Sequence, residues 1–102
     1  AKVFEAAGGY APTIGIIGDA TPGGWNDDTN MTTDVNDPAI QTINITLTGG
    51  SAKFRANDSW DFNWGAAGFP SGTGTYNGDN IPVAAGTYNV TFNVNTGQYI
   101  FN

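Results

Sequence analysis

The stretch GTYNVTFNV, residues 86–94, alternates apolar and polar side chains along its whole length. Successive side chains of a β-strand point to opposite faces of the sheet, so this alternation predicts a strand with one buried face. The NTG at residues 95–97 favours a tight turn, and the QYIF that follows predicts a partner strand. The sequence therefore predicts a C-terminal β-hairpin, with the following side chains of its first strand buried: Tyr88, Val90, Phe92 and Val94.

Strand patterns recur earlier in the chain. Residues 42–48 repeat the alternation, and the glycines at 49 and 50 are expected to turn the chain into a second hairpin with residues 52–56. The short apolar run at residues 13–17, closed by Gly18, predicts a first strand that is buried on both faces. The inward side chains predicted for residues 42–48 are Ile43, Ile45 and Leu47.

Two segments rich in glycine and polar residues interrupt these strands. Residues 19–39 are expected to form a long surface loop, and residues 65–80 a second irregular region before a strand at 81–83. Several short strands with frequent turn signals predict an all-β fold, an antiparallel β-sandwich of the immunoglobulin-like type. Residues 13–102 would form this domain, whereas residues 1–12 suit a linker, an added edge strand or a segment that pairs with a neighbouring molecule.

The amino-acid composition disfavours two classes of binding partner. Three Lys and Arg against nine Asp and Glu give the 102 residues a net charge of −6, which disfavours nucleic acid and anionic membranes. No apolar run approaches the roughly 20 residues that a transmembrane helix needs. Charged residues make up 12% of the chain, and Gly, Thr and Asn supply the polarity instead, a profile that suits an exported β-protein.

The sequence offers few of the residue types that catalyse reactions or bind metal ions. The chain has no His and no Cys, and its one Glu is Glu5. Asp58 and Asp61 are the nearest pair of carboxylates for a glycosidase, but ordinary solvated loop residues fit them better. The acidic residues between 19 and 37 could offer oxygen ligands to calcium, yet their spacing matches no EF-hand, and turn formation is the commoner explanation for such residues. We predict no enzymatic activity, no cofactor and no metal.

Three tryptophans in so small a domain are more informative. Trp25 follows Pro-Gly-Gly, which predicts an exposed loop. Trp60 and Trp64 would share one face of an extended segment, with Phe62 opposite, and at least one of them should lie in the core. The alternative is that all three simply pack in the interior, since tryptophan is highly buried on average.

Exposed indole rings suggest a stacking platform for sugar, because the apolar face of a glucose ring lies flat on an indole. Lys53 and Arg55 flank Phe54, so both should point outward while Phe54 enters the core. They could donate hydrogen bonds to sugar hydroxyls, or they could only keep the strand soluble. The predicted ligand-binding residues are Trp25, Lys53, Arg55, Asn57, Asp58, Trp60 and Trp64.

Three motifs occur in order along the chain: IIGDATPGGW at 16–25, AKFRANDSW at 52–60 and GDNIPV at 78–83. Together they resemble the starch-binding domains of the SusE and SusF outer-membrane lipoproteins. Residues 60–65 are also similar to starch-binding modules attached to pullulanases, although Trp64 stands where those modules more often have Tyr. The resemblance extends from about residue 13 to the end of the chain.

The resemblance implies an immunoglobulin-like sandwich that binds α-glucan without cleaving it. It also implies export to the bacterial outer-membrane surface, often beside tandem sister domains. Carried over by motif, Trp25 would belong to the platform and Lys53 would donate hydrogen bonds, and we choose Trp60 as the second aromatic. The alternative function is a structural or assembly subunit that uses its N-terminal segment to add a strand to a neighbour's sheet.

Overall fold

A computed structural model describes residues 13–102, and it is an all-β sandwich of two antiparallel sheets, of the immunoglobulin-like type predicted. The three interpretations offered for residues 1–12 concern a segment that lies outside the described residues. The strands of the sandwich are β1 Ile14–Gly18, β2 Gly24–Asn30, β3 Thr32–Thr33, β4 Ile40–Leu47, β5 Gly50–Ala56, β6 Asn63–Gly65, β7 Ser71–Thr73, β8 Thr75–Tyr76, β9 Ile81–Val83, β10 Gly86–Asn93 and β11 Gln98–Phe101.

The strands divide into two sheets, which we call the first and the second sheet. The first sheet has the order β2-β1-β5-β6-β8, and β9 pairs with the part of β5 that β6 leaves open. The second sheet has the order β3-β4-β10-β11-β7. Within the described part of the chain, no helix is long and apolar enough to cross a membrane.

Aromatic rings join the two sheets in the core. Phe54 of the first sheet stacks on Phe92 of the second, with ring centroids 4.3 Å apart and planes 7° from parallel. Trp64 meets Phe92 edge-on at 5.1 Å. The inward residues of β10 predicted from the alternation include Val90 and Phe92, and both are fully buried. The C-terminal hairpin of β10 and β11 is also confirmed by their pairing.

The predicted second hairpin is wrong. β4 pairs with β3 and β10 in the second sheet, whereas β5 pairs with β1, β6 and β9 in the first. The chain therefore crosses from one sheet to the other at Gly49 and Gly50. Gly50 has a φ of +155°, and a side chain there would meet the carboxylate of Asp19, which accepts a hydrogen bond from the Ser51 amide at 2.6 Å. The two glycines make a corner between sheets, not a turn within one.

The predicted loop at residues 19–39 is also corrected, since it contains strands β2 and β3. β2 lacks an apolar face because it pairs at the edge of the first sheet and its side chains lie largely toward solvent. A pattern of buried alternation cannot detect such a strand. The region at 65–80 likewise includes the end of β6 and the short strands β7 and β8.

The stacked rings predict where the fold is most sensitive. Phe54→Ala removes a fully buried ring and the stack with Phe92, so we expect a loss of about 4 kcal/mol in the free energy of unfolding. Urea denaturation followed by tryptophan fluorescence measures it. The control is Val35→Ala, at a side chain that is 95% exposed, with an expected change within about 0.5 kcal/mol. Equal effects from the two variants would contradict this view of the core.

Candidate functional site

The outer face of the first sheet gathers the basic residues of β5. Phe54 points into the core, and Lys53 and Arg55 point outward as predicted. Both cations are nevertheless buried, because neighbouring segments lie over them. Neither is the solvated cation that the sequence suggested, and each has a specific partner.

Arg55 forms an ion pair that crosses a strand. Its Nε donates a hydrogen bond to Oδ2 of Asp28 at 2.7 Å, and the two side chains are 9% and 1% exposed. Gly15 of β1 stands opposite Arg55 in the sheet. A Cβ on Gly15 would lie 2.5 Å from Cγ of Asp28, so the missing side chain leaves the space through which Asp28 reaches over β1.

A bulge in β2 places both Asp28 and Trp25. Ile16 pairs with Thr29 and Gly18 with Gly24, so residues 25–28 bulge opposite a single residue of β1. The bulge doubles back on itself so tightly that a side chain on Gly23 would collide with the carbonyl oxygen of Asp27. Bulges commonly re-aim side chains beside binding sites. Trp25, 37% exposed, is thus presented from a strand and not from the predicted loop.

Trp25 and Trp60 lie side by side, and we call them the tryptophan pair. Their ring centroids are 6.1 Å apart and their planes are tilted by 34°. Trp60 is 45% exposed, and the guanidinium carbon of Arg55 lies 5.0 Å from the centre of its ring. Such a cation–π contact favours one position of the indole over others. The ion pair with Asp28 in turn fixes Arg55.

A tight turn between β5 and β6 carries Trp60. Asn57 and Asp58 both adopt left-handed backbone conformations, with φ values of 57° and 55°. The side-chain amide of Asn63 donates hydrogen bonds to the Trp60 carbonyl at 3.0 Å and to Oδ1 of Asn77 at 2.9 Å. This turn, and not an extended segment, separates Trp60 from β6.

The turn overturns one prediction about the tryptophans. Trp60 and Trp64 were expected on one face of an extended segment, but Trp64 lies in β6, is 3% exposed and packs against Phe92 and Tyr76. Trp64 therefore belongs to the core and has no free face for a ligand. Trp60 is the exposed member of the two.

Lys53 is buried and has a hydrogen-bond partner inside the fold. Its Nζ donates a hydrogen bond to the carbonyl oxygen of Gly78 at 2.7 Å, so the ammonium holds the segment after β8 against the sheet. Burial lowers the pKa of Lys53, and the negative charge of Asp79 partly opposes that shift. This bond uses one of the three donors of the ammonium, so donation from Lys53 to a sugar stays a prediction.

Asp58 forms a carboxyl pair with Asp28. A hydrogen bond with Asp28 and the negative charge of Asp28 raise the pKa of Asp58, whereas the positive charge of Arg55 lowers it. Asp27 adds a further negative charge nearby, which raises the pKa of Asp58. Asp58 and Asn57 are both exposed, and Oδ1 of Asn57 accepts a long hydrogen bond of 3.4 Å from the Thr13 amide. The exposed rim of the site is thus polar and acidic.

Other acidic residues of the described chain stabilise its turns. Asp34 accepts hydrogen bonds from the backbone amides of Asn36 and Asp37, and Asp37 accepts one from Ala39. Across residues 13–102, no group of three or more potential ligand side chains is arranged to hold a metal ion.

Sequence reasoning missed four residues that build the site: Gly15, Asp28 as the partner of Arg55, Asn63 and Asn77. Gly15 was detectable in principle, because an isolated glycine inside a strand pattern signals a close approach by another segment. The pairing of Asp28 with Arg55 joins residues far apart in the chain, and no local pattern encodes it.

Trp25 and Trp60 come from two of the three motifs on which the resemblance to the SusE and SusF domains depends. Comparison of the chain with models of protein families, with curated proteins and with solved structures found no match. The resemblance therefore stays a prediction, and the geometry of the tryptophan pair has to support the function.

The close approach of Asp28 to Gly15 predicts coupling between them. Gly15→Ala should displace the Asp28 carboxylate and destabilise the fold by about 2 kcal/mol. In the Asp28→Ala background the added methyl has no carboxylate to displace, so the same substitution should cost at least about 1 kcal/mol less. A double-mutant cycle by urea denaturation measures the difference. Additive effects would mean that Gly15 does not make room for Asp28.

The raised pKa of Asp58 predicts a pH-dependent effect of Asp58→Asn. The folded chain binds the Asp58 proton more tightly than the unfolded chain does, so stability falls as pH rises from the ordinary aspartate pKa through the raised value. The Asn variant escapes this loss. Its melting temperature should exceed that of the parent at pH 7, and the gap should close toward pH 3.

Circular dichroism at a series of pH values measures both melting temperatures. The matched control is Asp61→Asn, which removes a negative charge from the same turn but not from the Asp28–Asp58 pair. A gap of the same size at every pH for Asp58→Asn, or an equal pH profile in the control, would refute the carboxyl pair.

Proposed function

We propose that this domain is a non-catalytic module that binds an α-glucan through the tryptophan pair. The observation that carries the proposal is the pair itself, two partly exposed indoles with centroids 6.1 Å apart. Large exposed aromatic rings are costly to leave in water, and a sugar ring covers them with its own apolar face. Core packing does not account for these two rings, since neither Trp25 nor Trp60 belongs to the hydrophobic core cluster.

The buried support beneath the pair favours binding. Arg55 lies over the Trp60 ring, Asp28 holds Arg55, and Asn63 holds the turn. A ring that is already fixed loses little conformational entropy when a ligand docks on it. The rim offers Asn57 and Asp58 as exposed hydrogen-bonding partners for sugar hydroxyls.

The tilt of the rings favours a curved glucan. Neighbouring glucose units of an α-1,4-linked chain are rotated relative to one another, so the chain coils, whereas a β-1,4-linked chain is a flat ribbon. Two rings inclined by 34° can each lie against one of two successive units of a coiled chain. A flat ribbon would fit coplanar rings instead.

The wider setting is proposed on the resemblance alone. The domain would be exported to the bacterial outer-membrane surface and would bind starch-like polysaccharide without cleaving it. A site with two stacking residues gives weak binding, and tandem sister domains would raise the overall avidity.

Substitution of either member of the tryptophan pair tests the proposal. Trp25→Ala and Trp60→Ala should each weaken binding of maltoheptaose by roughly tenfold, because a single aromatic stack contributes about 1 to 3 kcal/mol in comparable nucleic-acid sites. Isothermal titration calorimetry measures the affinity. Trp60→Phe should retain part of it, and Val35→Ala, which removes an exposed apolar side chain elsewhere, should retain all of it.

Binding that is unchanged in both alanine variants would refute the tryptophan pair as the site. Cellohexaose, a β-1,4-linked oligosaccharide, tests the linkage in the same assay. Affinity for cellohexaose equal to that for maltoheptaose would leave the site intact but reject the preference for a curved chain.

A further inference from the structure

The outer face of the second sheet is free of charge. Its five strands, β3, β4, β7, β10 and β11, contain no Asp, Glu, Lys or Arg. The first sheet, by contrast, contains Asp27, Asp28, Lys53 and Arg55. Soluble surfaces usually carry about a quarter to a third of charged residues, so a whole sheet without any is unusual in a chain of net charge −6.

Side chains on this face stand in rows across the strands. The pairing aligns one continuous row over all five strands, made of Thr32, Thr42, Thr91, Ile100 and Ser71. Neighbouring strands lie about 4.8 Å apart, so the row places four hydroxyl groups along a line perpendicular to the strands, interrupted by Ile100 of β11.

Cross-strand hydrogen bonds link other polar side chains of this face, and we call the polar side chains of the face the array. The side-chain amide of Asn44 donates to Oδ1 of Asn89 at 2.8 Å, and the hydroxyls of Thr46 and Thr87 are 2.8 Å apart. These groups are solvent-exposed. Each hydroxyl or amide in such a pair keeps further capacity to donate or accept.

A shallow groove of about 510 Å³ runs over this face. Its floor includes Thr91, Asn93, Gln98 and Ile100, and Thr73 of the edge strand β7 forms part of one side. Ile100 is 43% exposed and gives the groove an apolar contact among polar groups. The volume falls within the range of about 300 to 1,000 Å³ that is typical of ligand sites.

The charge and polarity of the side chains in the groove indicate which class of ligand it can bind. An ionic ligand or a nucleic acid would find no counter-charge on these strands. A second protein surface would call for an apolar, aromatic centre, whereas the exposed side chains here are mainly Thr, Asn, Ser and Gln. A neutral polyhydroxylated chain fits, since its hydroxyls can pair with the array and its apolar ring faces can lie on Ile100.

We propose that the groove on the outer face of the second sheet is a second contact surface for a neutral glycan chain, separate from the tryptophan pair. The inference rests on the proposed function in taking the ligand to be a glycan, but it uses none of the same residues. One domain would then contact polysaccharide on both faces of its sandwich.

NMR titration of maltoheptaose into the Trp25→Ala, Trp60→Ala double variant tests the second surface alone. We expect saturable amide shifts along β7, β10 and β11, with Thr91 and Ile100 among the residues affected. Adding Ile100→Asp should abolish these shifts, because it places a charge on the floor of the groove. Val35→Asp, at an equally apolar exposed position outside the groove, should leave them unchanged.

The possible outcomes separate the two proposals. Shifts confined to β2 and the 57–62 turn in the parent, and absent from the double variant, would overturn the second surface while the tryptophan pair stands. Shifts only on the second sheet would uphold this inference and remove the proposed site. A concentration-dependent dimer in sedimentation, dissociated by Ile100→Asp, would identify the face as an interface between copies and overturn the glycan assignment. Melting curves establish that each variant is folded.

Discussion

The hydrogen-bonded ion pair between Arg55 and Asp28 is the contact on which the site depends. The ion pair crosses β1 above Gly15, where no side chain blocks the way. Through the contact of Arg55 with the Trp60 ring, it connects the bulge of β2 to the turn that carries Trp60. Two buried charges are retained at a cost in desolvation, which a well-packed apolar pair would avoid. Their role here is to position two indoles side by side, although the two come from segments far apart in the chain.

The two faces of the sandwich divide the chemistry of the domain. The first sheet concentrates charge and exposed tryptophan, and it buries its cations in specific contacts. The second sheet offers neutral hydroxyl and amide groups in rows. The stacked rings of Phe54 and Phe92 join these faces into one rigid body, so each can present a preformed surface. Rigid surfaces suit the proposed role in recognition, since little order has to be gained on binding.

Alternation in the sequence predicted the strands that have one buried face, as in residues 86–94, because burial imposes a period of two. It failed at β2, an edge strand with no apolar face, and at Gly50, where the same residue type serves a hairpin or a corner between sheets. For the site, local chemistry predicted exposed aromatics beside polar groups. The burial of Lys53 and Trp64, and the pairing of Asp28 with Arg55, depend on contacts between distant segments that no local pattern specifies.

The central claim is that sugar docks on the tryptophan pair, and intermolecular nuclear Overhauser effects with maltoheptaose test it most directly. We expect contacts from the ring protons of glucose to the indole protons of both Trp25 and Trp60, on successive units of one chain. If contacts to Trp25, to Trp60 or to both were missing at saturating maltoheptaose, the result would contradict the account.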